Sequence, residues 1–348
     1  MRYRIPINSG IINIENNTAY DFEHDLENYL NAQLEKVSKL SHVINEQALW
    51  NITVKASENY EKVSSAHEQV MYLSPEMKKG IMGKYISIAQ DVFQINNTER
   101  GFVQLWDCKA RKIEISILKY NQYYLVQEVY AVIRWLIYYY TLELQGGIIH
   151  SSAVEYDGKG IIIIGDKGTG KTTLLTALLN EGAKYIASDR SFFWKQGKKI
   201  RICGWICTYR ADMNSLRLSL DNNKLQVIKG YIEKKRNDSE FIYNGKFRFP
   251  TCDFLSLLRF DTGYSAELSK IIYLDGHVDQ EGEVIIEKEN LTQRLNEQLL
   301  YINLPKELSN QKPIRNAKAL EKIDMYRVVG RKQPVEMTKQ ILESIWRD

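Results

Sequence analysis

The sequence of 348 residues contains few cysteines and no long uninterrupted apolar segment. The spacing of the cysteines matches no disulfide framework, which is typical of a reducing compartment; they are Cys108, Cys203, Cys207 and Cys252. The most apolar stretch, residues 131–150, includes Arg134 and Glu143 and falls short of the roughly 20 apolar residues that cross a bilayer. Residues 1–17 lack the apolar core of a signal peptide. We therefore predict a cytoplasmic protein without a membrane partner.

Charge of one sign is not in large excess either. Lysine and arginine together number 47 and aspartate and glutamate 43, which gives a formal net charge of +4. The sequence contains no basic stripe interleaved with aromatic residues, and we therefore predict no nucleic-acid partner. Hydrophobic residues make up 44% and charged residues 26%, which is the balance of a globular rather than a disordered chain. The length suits two domains.

The first domain is predicted to span residues 1–145 and to be of the α+β class. Apolar residues at helical spacing predict a helix within residues 20–40. Residues 50–118 are rich in β-branched and aromatic residues and predict several strands. An apolar helix is predicted over residues 123–143. This small, strand-rich domain is a candidate for substrate recognition.

The second domain is predicted to span residues 146–348 and to be of the α/β class. A tight hairpin is predicted over residues 151–165, with Asp-Gly in its turn, followed by a helix over residues 171–180. Residues 208–260 have a vaguer helical pattern, and residues 290–304 predict another helix. Pro334 has the position of the first residue of a last helix.

A glycine-rich motif stands between the apolar strand of that hairpin and the helix that follows. Residues 165–172 read GDKGTGKT and match the phosphate-loop pattern G-x-x-x-x-G-K-[ST] in full. In such a loop, backbone N–H groups surround the β-phosphate, the lysine bridges the β- and γ-phosphates, and the last hydroxyl ligates magnesium. We therefore predict ATP and Mg²⁺ as cofactors, with Lys171 catalytic and Thr172 a metal ligand. The predicted nucleotide-binding residues are Gly165, Asp166, Lys167, Gly168, Thr169, Gly170, Lys171, Thr172 and Thr173.

Asp189 ends a predicted strand 18 residues after Lys171, a spacing common in small kinases. We predict that Asp189 accepts the proton of an attacking hydroxyl or binds magnesium; capping of a turn is the structural alternative. Arg210 and Arg190 are candidates for stabilising charge in the transition state, because guanidinium suits phosphate oxygens. Simple solvation is the alternative for both, and it is slightly favoured for Arg190.

Three further features have a functional and a structural interpretation. Lys246 and Arg248 lie in a basic strand and are candidates to face the substrate. Cys203 and Cys207 are four residues apart, but strand alternation explains them better than metal ligation does. The charged residues 232–238 predict a solvated helix end, with docking of an acidic peptide as the alternative.

Residues 146–190, GGIIHSSAVEYDGKGIIIIGDKGTGKTTLLTALLNEGAKYIASDR, resemble the C-terminal domain of the HPr serine kinase/phosphorylase family. The likeness is strongest to kinase-like relatives that modify precursor peptides or free serine. It implies a P-loop kinase domain with a mixed β-sheet, of the HPr kinase and PEP carboxykinase type. It also implies that His150 is catalytic and lies near the transferred phosphate. Where the family has two adjacent acids this chain has Ser188 and Asp189, which argues against phosphorolysis more than against phosphorylation.

These features favour an ATP-dependent kinase that phosphorylates a serine or threonine hydroxyl. The acceptor is a peptide, a protein or a small molecule, with a precursor peptide of a biosynthetic pathway as one example. The alternative is a P-loop nucleotide-binding or ATPase module that regulates a partner without phosphorylating it. A nucleic-acid kinase is less favoured, because the sequence has no basic stripe. The sequence leaves the phosphoryl donor open, and a homo-oligomer is compatible with it.

Overall fold

The computed structural model divides into two compact units. It describes residues 1–7, 10–31, 34–37, 48–57, 69–72, 81–97, 99–205, 207–238, 241–276, 284–301, 304–309, 311, 317–330 and 334–346. The first unit is Met1–Glu143 with Tyr301–Ile314, and the second is Leu144–Leu300 with Arg315–Asp348. The predicted division at residue 145 assigned Tyr301–Ile314 to the second domain, whereas these residues cluster with the first unit. Eight α-helices and several mixed sheets occur in the described part of the chain, which is therefore a mixed α/β protein.

The described part of the first unit contains a nine-stranded mixed sheet and two helices. Its elements are β1 (Arg2–Arg4), β2 (Ile11–Asn17), α1 (Glu23–Leu30), β3 (Glu35–Lys36), β4 (Trp50–Ala56), β5 (Gln69–Tyr72), β6 (Ile81–Ala89), β7 (Val92–Asn97), β8 (Phe102–Asp107), β9 (Lys112–Ile117) and α2 (Gln122–Glu143). The strand order is β3-β1-β2-β4-β9-β8-β7-β6-β5. Strand β4 pairs in parallel with β2 and β9, and the other pairs are antiparallel.

The predicted strands of residues 50–118 and the predicted apolar helix are confirmed, and α2 begins one residue earlier than predicted. The helix predicted within residues 20–40 is shorter, because Lys36 pairs with Tyr3 as part of the sheet instead of continuing α1. The last residues of that predicted helix, 38–40, lie outside the described residues. In the described part of the chain, α2 included, we find no helix with the length and apolar character that crossing a bilayer requires.

Glu307 connects the returning segment to the sheet of the first unit. Its buried carboxylate accepts hydrogen bonds from the hydroxyl of Tyr85, at 2.6 Å, and from the hydroxyl of Ser87. Burial and the bond to Glu307 raise the pKa of Tyr85 to about 12, so the phenol remains a donor at neutral pH. A buried carboxylate is stable only with such partners. This contact explains why the segment belongs to the first unit.

In its described part, the second unit contains a ten-stranded mixed sheet, a three-stranded sheet and six α-helices. Its first elements are β10 (Gly147–His150), β11 (Ser152–Tyr156), β12 (Lys159–Gly165), α3 (Lys171–Asn180), β13 (Lys184–Ala187), β14 (Arg190–Gln196), β15 (Lys199–Gly204), β16 (Tyr209–Ala211), α4 (Met213–Ser219) and α5 (Asn222–Lys234). The others are β17 (Ile242–Tyr243), β18 (Lys246–Phe249), α6 (Thr251–Leu258), β19 (Ser265–Asp275), β20 (Ile285–Lys288), α7 (Thr292–Gln298), β21 (Leu299–Leu300), a short 3₁₀ helix (Lys318–Leu320), β22 (Asp324–Val329) and α8 (Pro334–Trp346).

The local predictions for this unit are largely confirmed. Strands β11 and β12 form the predicted hairpin, helix α3 covers residues 171–180 as predicted, and Pro334 is the first residue of α8. The helix predicted over residues 290–304 is limited to α7, because Leu299 and Leu300 pair with β10. Residues 208–260 contain helices α4, α5 and α6, but also a small sheet of order β16-β18-β17 that the helical pattern did not indicate.

Three parallel strands lie side by side in the large sheet. The order is β13-β11-β12-β19-β15-β14-β10-β21, and β22 pairs with both β19 and β20. Strand β19 runs parallel to β12 and to β22, with Gly165 opposite Leu274 and Asp275 opposite Val329. The side chains of residues 161–164 are fully buried, so β12 is a central, rigid support. The carboxyl ends of the three strands therefore meet at one edge, where the glycine-rich loop begins.

Candidate active site

The glycine-rich loop leaves β12 at Gly165 and enters α3 at Lys171. Gly165 has a φ of 150°, and a Cβ atom at this position would lie 2.7 Å from both the carbonyl oxygen of Leu274 and Oγ1 of Thr169. No side chain fits there, so glycine is required by close packing as well as by the backbone angle. Gly170 has a φ of 96°, where a Cβ would meet no described atom within 4 Å but the backbone is left-handed. Together these angles turn the chain sharply from strand to helix.

The amino end of α3 is built to bind an anion. Gly170 is the N-cap residue and, as a glycine, contributes no capping side chain. The first backbone N–H groups of a helix have no partner within the helix, and the helix dipole adds positive potential at that end. With 10 residues, α3 is long enough to have this property. Loop and helix together therefore offer several N–H donors to a phosphate group.

Lys171 is held inside this loop. Its Nζ donates hydrogen bonds to the carbonyl oxygens of Gly165, at 2.6 Å, and of Asp166, at 2.9 Å. Burial lowers the pKa of Lys171, the negative charges of Asp189 and Asp166 oppose this shift, and the charge of Lys246 adds to it. The ammonium group is thus held by two carbonyl groups of the loop, at the wall of a cavity that Asp189 also lines.

A cavity of about 450 Å³ opens beside the loop. It is of the size expected for a small-molecule site. The predicted site residues that line it are His150, Lys167, Gly168, Thr169, Gly170, Lys171, Thr172, Thr173, Asp189 and Lys246. Gly165 and Asp166 contribute instead the carbonyl groups that hold Lys171. Residues from β10, from the loop and from the turn after β13 therefore line the same cavity. His150 and Asp189 do so although they are 39 positions apart in the sequence.

His150 and Asp189 are neighbours because β10 and β14 pair, with His150 opposite Arg190. His150 Nε2 lies 3.7 Å from Asp189 Oδ1, and Arg190 Nε lies 3.4 Å from Asp189 Oδ2. The backbone N–H of Ser151 donates to the carbonyl of Asp189 at 3.1 Å and fixes this turn. The carboxylate of Asp189 therefore lies between an imidazole and a guanidinium at the wall of the cavity.

The imidazole of His150 is predicted to be neutral at pH 7. Burial lowers its pKa, Asp189 raises it, and the positive charges of Lys171 and Arg190 lower it further. We expect an NMR titration of the imidazole protons to give His150 a pKa below the 6.5 of an unperturbed histidine. The sequence has only five histidines, and loss of a signal in His150→Gln assigns the resonance.

The same titration tests the pairing of His150 with Asp189. Replacing Asp189 with asparagine removes the charge that raises the pKa of His150, so the pKa should fall further. Asp157→Asn is the matched control, since Asp157 lies in the turn at the far end of β12, about 20 Å along the strand from the loop. A pKa that rises in Asp189→Asn, or that moves equally in both variants, contradicts the pairing.

Three of the residues considered in the sequence analysis are not part of the described cavity lining: Arg210, Cys203 and Cys207. Arg210 lies exposed on β16, outside the described lining of the cavity, and its Nε donates a long bond of 3.4 Å to Thr208 Oγ1. Its catalytic role stays a prediction. Cys203 and Cys207 are buried free thiols, and burial raises both pKa values, that of Cys207 to about 11. Among the described residues there is no cluster of three or more His, Cys, Asp or Glu that could hold a metal ion by themselves.

The cavity also contains polar residues that the sequence did not single out. Asp212 lines it and caps α4, with Oδ1 accepting from the N–H of Ser215 at 2.8 Å. Asp275 lines it at the end of β19, where Arg327 donates to Oδ2 at 2.7 Å. The sequence alone does not show that the strand ending at Asp275 is the parallel neighbour of β12. Knowledge of the strand order was needed to place this second carboxylate beside the loop.

The packing of Gly165 gives a testable stability effect. We expect Gly165→Ala to lower the free energy of unfolding by about 3 kcal/mol, because the new Cβ clashes with the Leu274 carbonyl and the φ angle is strained. Gly197→Ala is the control: Gly197 has a φ of 63° in a hairpin turn, and a Cβ there meets no described atom within 4 Å. That change should cost only the backbone strain of about 1 kcal/mol. Urea denaturation of both variants makes the comparison, and equal losses contradict the predicted clash.

Comparison with known proteins gives little further information. No protein-family model matches the sequence, and no curated protein does. Among solved structures, the HPr(Ser) kinase/phosphatase from Coxiella burnetii matches with a TM-score of 0.31 and 11% sequence identity, covering 57% of this chain and 97% of that chain. A TM-score of this size does not establish a shared fold. The function is therefore inferred from the geometry of the site alone.

Proposed function

We propose that the second unit binds Mg-ATP and transfers its γ-phosphoryl group to a serine or threonine hydroxyl of a peptide, a protein or a small molecule. One observation carries the proposal. The glycine-rich loop with Lys171 and Thr172, and the pair formed by His150 and Asp189, line the same cavity. A phosphate-binding loop alone supports nucleotide binding, whereas a carboxylate fixed opposite the loop adds a group that can accept a proton. Phosphoryl transfer needs both parts.

The residues present fit a nucleotide phosphate with magnesium. The loop offers backbone N–H groups and the Lys171 ammonium to the phosphate oxygens. Thr172 and Asp189 offer oxygen ligands, which magnesium prefers, and in such sites the substrate phosphates supply further ligands. When bound, the ion would neutralise charge on the β- and γ-phosphates. This division of ligands is consistent with the few acidic residues at the cavity.

Asp189 is proposed to orient and deprotonate the acceptor. The proton of the hydroxyl passes to the Asp189 carboxylate, the hydroxyl oxygen forms a bond to the γ-phosphorus, and the bond from that phosphorus to the β–γ bridging oxygen breaks. ADP is the leaving group. Arg190 holds the carboxylate in place through its ion pair at 3.4 Å, and the imidazole of His150 lies beside the other oxygen, with Nε2 at 3.7 Å. Positioning of this kind is the main contribution of a protein to phosphoryl transfer.

Transfer of labelled phosphate from ATP to a panel of acceptors tests the proposed reaction. The panel should contain serine and threonine peptides, a generic phosphoacceptor protein and free serine, and ATP hydrolysis should be measured in the same samples. The proposal is supported if labelled phosphate stays attached to an acceptor during gel electrophoresis without exposure to base. The same label should be missing when Asp189→Asn replaces the wild type. Nucleotide binding with slow hydrolysis and transfer to no acceptor would instead favour a regulatory ATPase module.

A further inference from the structure

The small sheet of the second unit has one buried and one basic face. On β16, Tyr209 and Ala211 are buried and Arg210 between them is exposed; on β18, Phe249 is buried and Lys246 is exposed. Side chains alternate along a strand, so Arg248 shares a face with Lys246. The register places Arg210 opposite Arg248 and Tyr243 opposite Lys246. We call the face made by Arg210, Tyr243, Lys246 and Arg248 the basic face.

The basic face destabilises the folded state through repulsion between like charges. Like charges directly opposite each other on neighbouring strands are destabilising, and Arg210 and Arg248 have this relation. The guanidinium of Arg248 lies 4.2 Å from the ring centre of Tyr243, which offsets part of the repulsion. A local concentration of positive charge of this kind is suited to a negatively charged ligand.

The basic face borders the candidate active site. Lys246 belongs to the basic face and also lines the cavity, and its charge helps to lower the pKa of Lys171. Strand β16 leads from Arg210 directly to Asp212, which lines the cavity as well. A ligand lying across the basic face therefore has one end at the cavity that the glycine-rich loop also lines. This continuity distinguishes the face from an ordinary charged surface.

We infer that the basic face binds acidic residues that flank the acceptor hydroxyl of a peptide or protein substrate. The inference rests on the proposed function, because only phosphoryl transfer makes the bound hydroxyl an acceptor. Binding of the acidic residues can nevertheless be measured without the reaction. Three strands are about 10 Å wide, which matches about three residues of an extended peptide. Arginine binds carboxylates through two parallel hydrogen bonds, and two arginines side by side suit two such groups. Lys246 would meet the residue nearest to the hydroxyl.

The size of the basic face favours an acidic peptide over a nucleic acid. Nucleic-acid binding neutralises many phosphates along a track, and its affinity comes from the number of such contacts. The basic face has three cations within about 10 Å, and the whole chain has a net charge of only +4. A short cluster of this kind suits a few carboxylates next to a single reacting group.

Direct binding of two matched peptides tests the inference. Both contain one serine, followed by three glutamates in the first and by three glutamines in the second. Fluorescence anisotropy, with Mg-ADP present, should show at least about 10-fold tighter binding of the glutamate peptide, the range expected for charge-assisted hydrogen bonds. Arg210→Glu should remove this preference, and Arg210→Gln should reduce it.

The control variant is Lys198→Glu. Lys198 is exposed in the turn between β14 and β15, at the far end of β14 from Asp189 and about 20 Å along the strand. Lys198→Glu changes the charge by the same amount as Arg210→Glu. It should leave the preference for the glutamate peptide within twofold of the wild-type value. A peptide with three lysines should bind Arg210→Glu more tightly than it binds the wild type. This reversal excludes misfolding as the cause, because a misfolded variant gains no new preference.

Several outcomes would overturn the inference. The inference is overturned if the glutamate and glutamine peptides bind equally well. It is also overturned if Arg210→Glu and Lys198→Glu lose the preference for glutamate to the same extent. A single-stranded oligonucleotide that binds better than the glutamate peptide and depends on Arg210 also contradicts it. The proposed reaction fails separately. Transfer to both peptides at equal KM supports the kinase and overturns the docking, whereas selective binding without transfer supports the docking and contradicts the kinase.

Discussion

Lys171→Ala is expected to weaken the binding of Mg-ATP by about 100-fold or more, because in the proposed function it removes the cation that would donate charge-assisted hydrogen bonds to phosphate oxygens. The loop also loses its internal support. Nζ of Lys171 currently binds the carbonyl oxygens of Gly165 and Asp166, and without it both oxygens remain near the phosphate site. Their negative partial charges then oppose the ligand, so the loss should exceed that of one ion pair. Isothermal titration calorimetry with Mg-ATP measures the effect.

Two control variants make the Lys171 result specific. Lys198→Ala removes an exposed lysine of the same unit far from the loop and should leave the affinity for ATP unchanged. Lys171→Arg retains the charge but changes its shape, and should recover only part of the affinity. Thermal melting of each variant checks the fold. Unchanged affinity and turnover in Lys171→Ala would show that the glycine-rich loop is not the phosphate site.

Asp189→Asn is expected to reduce phosphoryl transfer by roughly 10²–10⁴-fold, the usual effect of losing a positioned general base. Asparagine has nearly the shape of aspartate, and its side-chain oxygen can still accept from Arg190 Nε. ATP affinity should therefore be largely retained, because the loop and Lys171 are unchanged and the amide oxygen can still be a magnesium ligand. The amide cannot accept the proton of the acceptor hydroxyl, so the loss appears in turnover. Transfer and ATP binding are measured on the same preparation.

Comparison with other variants separates the roles that Asp189 could have. Asp157→Asn makes the same chemical change in a remote turn and should not alter transfer. His150→Ala should cause a smaller loss than Asp189→Asn, because Arg190 continues to hold the carboxylate. Near-normal transfer in Asp189→Asn would remove Asp189 from the reaction. If ATP binding and transfer fall together, Asp189 is mainly a magnesium ligand, and Asp275, the carboxylate at the end of β19, becomes the candidate base.

Local features of the second unit were predictable because each depends on residues close in sequence. The Asp-Gly turn between β11 and β12, the helix after the glycine-rich loop and the start of α8 at Pro334 are examples. Their signals are turn dipeptides, helical periodicity and the fixed φ of proline, and none of them needs tertiary contacts. The grouping of His150 with Asp189 came instead from resemblance to a family.

Features that depend on distant pairing were not predictable from the sequence. Asp275 lies beside the loop only because β19 pairs in parallel with β12, about 100 residues away. The sequence indicated Arg210 and Arg248 as two unrelated candidates, one for transition-state charge and one for facing the substrate. Antiparallel pairing of β16 with β18 places them opposite each other. Leu299 and Leu300 have helical spacing, yet strand pairing with β10 overrides it. In each case a tertiary contact decides between locally equivalent structures.

The path of the chain restricts how this protein can be recombined with others. Because Tyr301–Ile314 belongs to the first unit, neither unit is a single continuous stretch, and no one cut separates them. A gene fragment that begins at residue 146 carries Glu307 with it. The remaining fragment, residues 1–145, then lacks the acceptor for the hydroxyl groups of Tyr85 and Ser87. Transfer of the second unit into another protein would require three junctions, one before residue 144 and one on each side of that returning segment. The two units are therefore expected to be inherited together, and chimeras should exchange residues 144–300 together with residues 315–348, since β22 pairs with β19, while retaining the host's own returning segment.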